Sequence, residues 1–283
     1  MRVLWLTVPF TVGTVVASEL DGRSTSVQVT AAVLLWAGWA AIVVGLLVPR
    51  PASLVGLRVG ALGAAVLTLW CADAADEWIV GGIAAALVLV VSLAPETGEW
   101  LVNGTSYGYE RRYLLRPPAP VVVGPLVLAA AVLPVCVATG PLLLAARQWV
   151  LGVLALAAGG ALAFVLGRAL HSMTVRWAVL VPAGLVLKDH MALLDPMLFR
   201  RVDIETLHPA PADTDGLDLT AGALGLALEI RLREEVEIQR MRPVRRGAEP
   251  FMAWKLLFTP TRPKALLADA ASRKIRVPST TVP

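Results

Sequence analysis

The residues of this chain best placed to do chemistry are acidic. The run ADTDGLDLT sets Asp213, Asp215 and Asp218 around Gly216. Several carboxylates on a tight turn suit a hard cation such as calcium, which takes many oxygen ligands. The offsets of an EF-hand loop and its closing glutamate are not met, so the run reads instead as an Asx-type turn between strands. His171, His190 and His208 are scattered and have no cysteine beside them. Cys71 and Cys136 lie in or beside apolar segments without CxxC spacing. They read as small buried hydrophobes, with a disulfide between them as the alternative. Nucleophile-elbow, phosphate-cradling glycine-loop and HExxH patterns are missing from the sequence. The expectation is a chain with no catalytic residues, no cofactor and no metal.

Basic and aromatic residues give a different signal. The stretch GEWLVNGTSYGYERRYLLRPPAP gathers Trp100, Tyr107, Tyr109 and Tyr113 around Arg111, Arg112 and Arg116, and it holds all three tyrosines of the protein. Such a mixture at a membrane surface fits anionic headgroups, or docking on another part of the chain. Ordinary interfacial anchoring is the alternative. Further on, Arg200 and Arg201 stand together, as do Arg242, Arg245 and Arg246 near the PVRRGAE stretch. With Lys264, Arg273, Lys274 and Arg276 the latter group would face anionic lipid, each charge contributing about 1 kcal/mol near such a surface, with a solvated loop as the alternative. Glu234, Glu235 and Glu237 are close enough in sequence to neutralise part of it. These residues are the candidate contacts for a lipid or a protein partner.

The elements that must carry them follow from composition. Of 283 residues 57% are hydrophobic and 16% charged, with a mean hydropathy of +0.71. Soluble domains are closer to half apolar and a quarter charged. The excess lies early: residues 1–167 hold 8 Lys/Arg and 8 Asp/Glu, against 17 and 13 in residues 168–283. A net charge of +4, carried by the second part, suits the cytoplasmic side of a membrane and excludes a nucleic-acid footprint. A crossing helix needs about 20 apolar residues. Segments 3–18, 29–48, 55–72, 78–94, 119–138 and 149–168 qualify, which predicts a six-helix bundle over residues 1–171. The first of them also resembles a signal peptide, with Val16-Ala17-Ser18 as its cleavage site. Arg50 and Arg58 flank the second connection and Arg111, Arg112 and Arg116 sit in the fourth, while Asp73, Asp76 and Glu77 fill the third. The positive-inside bias then puts both termini in the cytoplasm. No Asp, Glu, Lys or His lies near the centre of a span, which disfavours an ion-coupled transporter.

Residues 172–283 alternate and break at turn residues. The pattern predicts strands near 174–181, 184–189, 199–207, 217–220, 225–232, 235–240 and 252–258. An amphipathic helix follows, capped by Thr261, with Leu266, Leu267 and Ala270 on one face. VRWAVLVPAGLVLKD and then LLDPMLFRRVDIETL resemble the bacterial PH-like domains that follow membrane helices. The whole chain resembles actinobacterial-type multi-pass membrane proteins carrying such a domain. That resemblance implies a cytoplasmic PH-like β-barrel with one C-terminal helix, serving as a docking module for lipid or protein and having no catalytic residues. The expected function is a scaffold or accessory subunit of a membrane assembly, in contact with membrane lipids and a protein partner. A transporter or lipid-handling protein with a regulatory tail is the alternative.

The topology is directly testable. With Cys71 and Cys136 replaced by alanine, a membrane-impermeant maleimide added to intact cells labels Asp76→Cys. It leaves Ser106→Cys unlabelled until the membrane is permeabilised. Labelling of Ser106→Cys from outside overturns the orientation.

Overall fold

The computed structural model describes residues 1–71, 78–241 and 247–278, apart from the Val123 side chain. Asp73, Asp76 and Glu77 therefore lie outside the described residues, as do Arg242, Arg245 and Arg246. The chain divides into two compact units: Met1–Gly104 with Gly124–Thr174, and Thr105–Val123 with Val175–Pro283.

The first unit is helical: α1 (Arg2–Leu6), α2 (Val8–Leu20), α3 (Thr25–Leu47), α4 (Pro51–Trp70), α5 (Trp78–Leu93) and α6 (Pro95–Asn103). The second unit's β1 (Arg111–Leu114) and the short α7 (Ala119–Val121) come next. A π-helical turn, Val122–Leu126, then opens into α8 (Val127–Ala145), and α9 (Trp149–Thr174) completes the helices of the first unit. Pro125 sits inside that π turn, where a missing N–H disturbs an α-helical ladder least. Five segments are long and apolar enough to cross a membrane: Arg2–Leu20, Thr25–Leu47, Pro51–Trp70, Gly124–Ala145 and Trp149–Thr174. The count rises to six if α5 and α6, bent by 60° at their junction, make one span.

Two sequence expectations change here. Segment 78–94 is not a full-length span by itself: the 16 residues of α5 rise only about 24 Å, short of a bilayer core of roughly 30 Å. Residues 96–118 are not one long loop either, because α6 and β1 occupy much of that stretch. The bend has a local cause. Pro95 has no N–H to give the Val91 carbonyl, so the Thr97 hydroxyl donates to it instead at 2.7 Å. Arg58 Nε reaches the neighbouring Ser92 carbonyl at 3.5 Å. A basic side chain among the last carbonyls of a helix also complements its negative end.

Tryptophans and glycines pack the rest. Trp5 Nε1 donates to the Trp39 carbonyl at 3.2 Å and Trp39 Nε1 to the Trp5 carbonyl at 3.1 Å, a reciprocal clasp between α1 and α3. Trp36 stands edge-on to Trp39 with ring centres 5.3 Å apart and stays half exposed. Gly60 gives the clasp room, since a Cβ there would come within 3.0 Å of the Trp5 ring. Gly159 does the same between α8 and α9, where a Cβ would lie 2.5 Å from the Cys136 carbonyl oxygen. Both cysteines are free.

The second unit is built from β1 together with β2 (Trp177–Val181), β3 (Gly184–Lys188), β4 (Met197–Arg200), β5 (Ile204–Pro209), β6 (Leu217–Asp218), β7 (Leu228–Met241) and β8 (Ala248–Phe258). The helix α10 (Pro263–Ser272) follows them. The strands form two sheets, ordered β1-β2-β3-β4 and β5-β7-β8-β6. All pairings are antiparallel except β6 with β8. Leu180, Leu185 and Phe199 from the first sheet share one core with Leu228, Ile230, Leu256 and Phe258 from the second. Leu266 and Ala270 of α10 belong to the same core, while Leu267 packs at its edge.

Several boundaries differ from the sequence reading. The predicted strand 199–207 splits in two. Asp203 N donates to the Arg200 carbonyl at 2.9 Å, and the two side chains pair across the turn. The predicted strands 225–232 and 235–240 join into β7, because a register shift between Arg231 and Val236 absorbs the run of charges. The cap of α10 is Arg262 and not Thr261, and no side chain bonds the helix start.

Replacing Thr97 by the isosteric valine removes the shorter of the two hydrogen bonds to the Val91 carbonyl and leaves it only the Ala94 amide at 3.3 Å. The expected cost is about 1–3 kcal/mol in reversible unfolding of the full chain in mixed micelles. No change in stability would show that the hydroxyl is not what repairs the bend.

Candidate functional site

Alternation along β1 decides what its residues do. Tyr113 and Leu115 point into the core, so Arg112, Leu114 and Arg116 point the other way. Tyr113 is fully buried, and its hydroxyl donates toward Asp269 Oδ2 at 3.1 Å, with the Ala265 carbonyl at 3.3 Å. Arg111 and Arg273 flank the same carboxylate at 3.9 and 3.6 Å. Arg273 Nη1 also donates to the Tyr109 carbonyl at 2.6 Å. Asp269 of α10 thus ties the loop strand to the C-terminal helix.

On the opposite face Arg112 is also held. It bonds Glu110 at 2.5 Å and the Thr105 hydroxyl and carbonyl at 2.8 and 3.1 Å. Its guanidinium carbon lies 4.6 Å from the centre of the Trp177 ring, which Lys188 approaches to 5.0 Å.

The foot of the β2–β3 hairpin is fixed by ions. Arg176 Nε and Nη2 grip Asp189 Oδ1 and Oδ2 at 2.7 and 2.6 Å, and the two side chains are 1% and 0% exposed. Further bonds support the pair: Arg176 Nη1 donates to the Arg116 carbonyl at 3.1 Å, and the Met191 amide donates to Asp189 at 3.0 Å. At the hairpin's other end a Cβ on Gly184 would lie 2.0 Å from the Phe199 carbonyl oxygen, so glycine is required.

The structure therefore divides the candidate contacts. Arg111, Arg112 and Tyr113 are anchored in the second unit. Tyr107 and Tyr109 are each 84% exposed around the turn at Gly108. Arg200 is bound to Asp203, while its neighbour Arg201 is exposed. Trp100 belongs to the first unit, on α6, with Arg2 5.1 Å above its ring. Arg116 packs against Gly225.

The acidic run forms turns. The Thr220 amide donates to Asp218 Oδ1 at 2.7 Å, an Asx turn, and the Gly216 amide donates to the Thr214 hydroxyl at 3.1 Å. The Lys255 ammonium bonded to Asp215 holds that carboxyl below the ordinary range. Among the described residues no group of three His, Cys, Asp or Glu is placed to hold a metal ion. Two features escaped the sequence reading. One is the Arg176–Asp189 pair, whose only signal is a charge at each end of an apolar hairpin. The other is Glu229, buried on β7, which accepts from the Thr214 hydroxyl and faces His208 Nε2 at 3.6 Å.

In comparisons with protein-family models, curated proteins and solved structures, nothing matches this chain.

Breaking the buried pair from one side strands the other charge. Asp189→Ala is expected to destabilise by about 3–5 kcal/mol, and the double change Arg176→Met, Asp189→Leu to recover most of that loss. Chemical unfolding of the full chain checks both. A mild Asp189→Ala would show the pair to be dispensable.

Proposed function

We propose that the chain is a non-catalytic integral-membrane scaffold or accessory subunit. Its strand-rich unit is a cytoplasmic PH-like module that docks a protein partner or an anionic lipid. The observation that carries this reading is the way the module is assembled. A four-residue strand from the connection between two apolar helical segments completes a sheet formed by the C-terminal region. The anchoring is continuous: Leu115 N donates to the Arg176 carbonyl at 3.0 Å and Arg116 N to the Thr259 carbonyl at 2.8 Å. Such a unit is joined to the chain at two points, before and after the α8–α9 segment.

Element order supports the PH-like reading. Two sheets share a core with one C-terminal helix, and the loop strand takes the first place in the first sheet. Topology supports a common side for loop and tail. Residues 115 and 176 are hydrogen-bonded neighbours, so the helical pair between them leaves and returns to one place. If α8 and α9 each cross a bilayer, the crossings between the two attachment points number two, and both points share a face. The positive-inside bias of the arginines then assigns that face to the cytoplasm. Tyr107, Tyr109 and Arg201 supply the exposed aromatic and cationic groups that recognition surfaces favour.

Affinity capture of the tagged full chain from its native membranes in mild detergent tests this. A stoichiometric protein or anionic lipid should co-purify, and Tyr107→Ser, Tyr109→Ser, Arg201→Glu together should abolish that recovery while the chain still folds. Recovery of nothing at stoichiometry, or of a companion indifferent to those changes, overturns the docking reading.

A further inference from the structure

Three buried polar atoms close together in the second unit have no hydrogen-bond partner among the described residues: Arg116 Nε, Thr259 Oγ1 and Thr261 Oγ1. The backbone explains why they share one face. Leu115 and Pro260 form an antiparallel bridge, flanked by Arg116 N to the Thr259 carbonyl and Thr261 N to the Leu114 carbonyl, each 2.8 Å. That is a non-hydrogen-bonded pair, so Leu115 and Pro260 project to one side, and Arg116, Thr259 and Thr261 to the other. Leu115 lies in the core, which leaves the three polar side chains on the outer face of the ribbon.

Among the described residues nothing answers them. Arg116 forms no ion pair with any described residue, and the nearby carboxylate of Asp189 is already committed to Arg176. The wall behind the guanidinium is backbone: a Cβ on Gly225, where φ is +117°, would come within 3.0 Å of Arg116 Nε and Cζ. Thr261 stands one residue before Arg262, the uncapped start of α10, so its hydroxyl is not spent on the helix. Arg116 is half-buried, and leaving its Nε and the two hydroxyls beside it without partners out of reach of water is costly. An arginine fork with two hydroxyl donors is complementary to a tetrahedral oxyanion.

We propose that Arg116, Thr259 and Thr261 form a binding site for a phosphate group, borne either by a lipid headgroup or by a free anion. This deepens the docking reading above and rests on it, since the same module carries the site.

The full chain in uncharged detergent and phosphate-free buffer supplies the test, with its thermal midpoint read by tryptophan fluorescence. One arm adds inorganic phosphate against sodium chloride of equal ionic strength. The other compares nanodiscs of phosphatidylcholine alone with nanodiscs that also contain phosphatidylglycerol. A ligand bound only to the folded state raises the midpoint, here by a few degrees. Arg116→Leu should lose that rise. General salting-out by phosphate acts on both proteins alike, so the difference between them isolates the site. The isosteric double change Thr259→Val, Thr261→Val should reduce the rise even if Arg116→Leu folds poorly. A response to inorganic phosphate identifies a free oxyanion. A response to phosphatidylglycerol alone identifies the lipid. Absence of both, or a rise that persists in the variants, means that water fills the site and overturns the proposal. A phosphate response without any co-purifying companion removes the docking reading but leaves the site; capture of a companion without the response does the reverse.

Discussion

One interaction out of reach of water constrains the strand-rich unit, the bidentate grip of Arg176 on Asp189, since neither partner can be lost alone. Moving two such charges out of water costs several kcal/mol per ion, and attraction repays it only when every remaining donor and acceptor is filled. Here further bonds come from two directions. The Met191 amide donates to the Asp189 carboxylate, and the Arg116 carbonyl, beyond the end of β1, accepts from the third nitrogen of Arg176. The pair therefore joins the hairpin's foot to the loop strand that lies beside it. Removing the strand would leave an arginine donor unsatisfied in the interior, so hairpin and strand are stable only together.

That dependence explains which parts of the fold were legible in the sequence. Apolar length marked the helices, because a bilayer-scale run of Leu, Val and Ala needs no long-range knowledge to read. Pro182-Ala183 with Gly184 marked the hairpin turn because the requirement is local. Long-range pairing was not legible. Residues 111–114 spell RRYL, a stretch whose two arginines suggest a solvated surface loop, and nothing nearby reveals that Tyr113 will be buried against α10 more than 150 positions later. The same applies to Asp203, which reads as one more residue of an alternating strand until its bond to Arg200 turns the chain. Bulges hide as well: Arg233 and Glu234 look like a break between strands, although β7 runs through them.

The candidate site shows the same limit. A cluster of tyrosines and arginines in sequence was read as one surface, but a strand sends alternate residues to opposite sides. Parity turned Tyr113 into a core anchor and left Arg112 stacked on Trp177, while the turn at Gly108 kept Tyr107 and Tyr109 in the open. Arg116 followed neither course, being packed against glycine backbone beside two threonine hydroxyls from a distant segment. The expected cap at Thr261 failed for a related reason: the hydroxyl shares the outer face with Arg116 and leaves the helix start alone.

The claim on which this account rests is that residues 111–116 are part of the C-terminal sheet. Hydrogen exchange on the full-length protein in detergent tests it most directly, because an amide bonded across a sheet exchanges only when the sheet opens. The account predicts that the Leu115 and Arg116 amides are protected to the same degree as those of residues 178–187. Exchange of Leu115 and Arg116 at the rate of an open loop, while residues 178–187 stay protected, would contradict it.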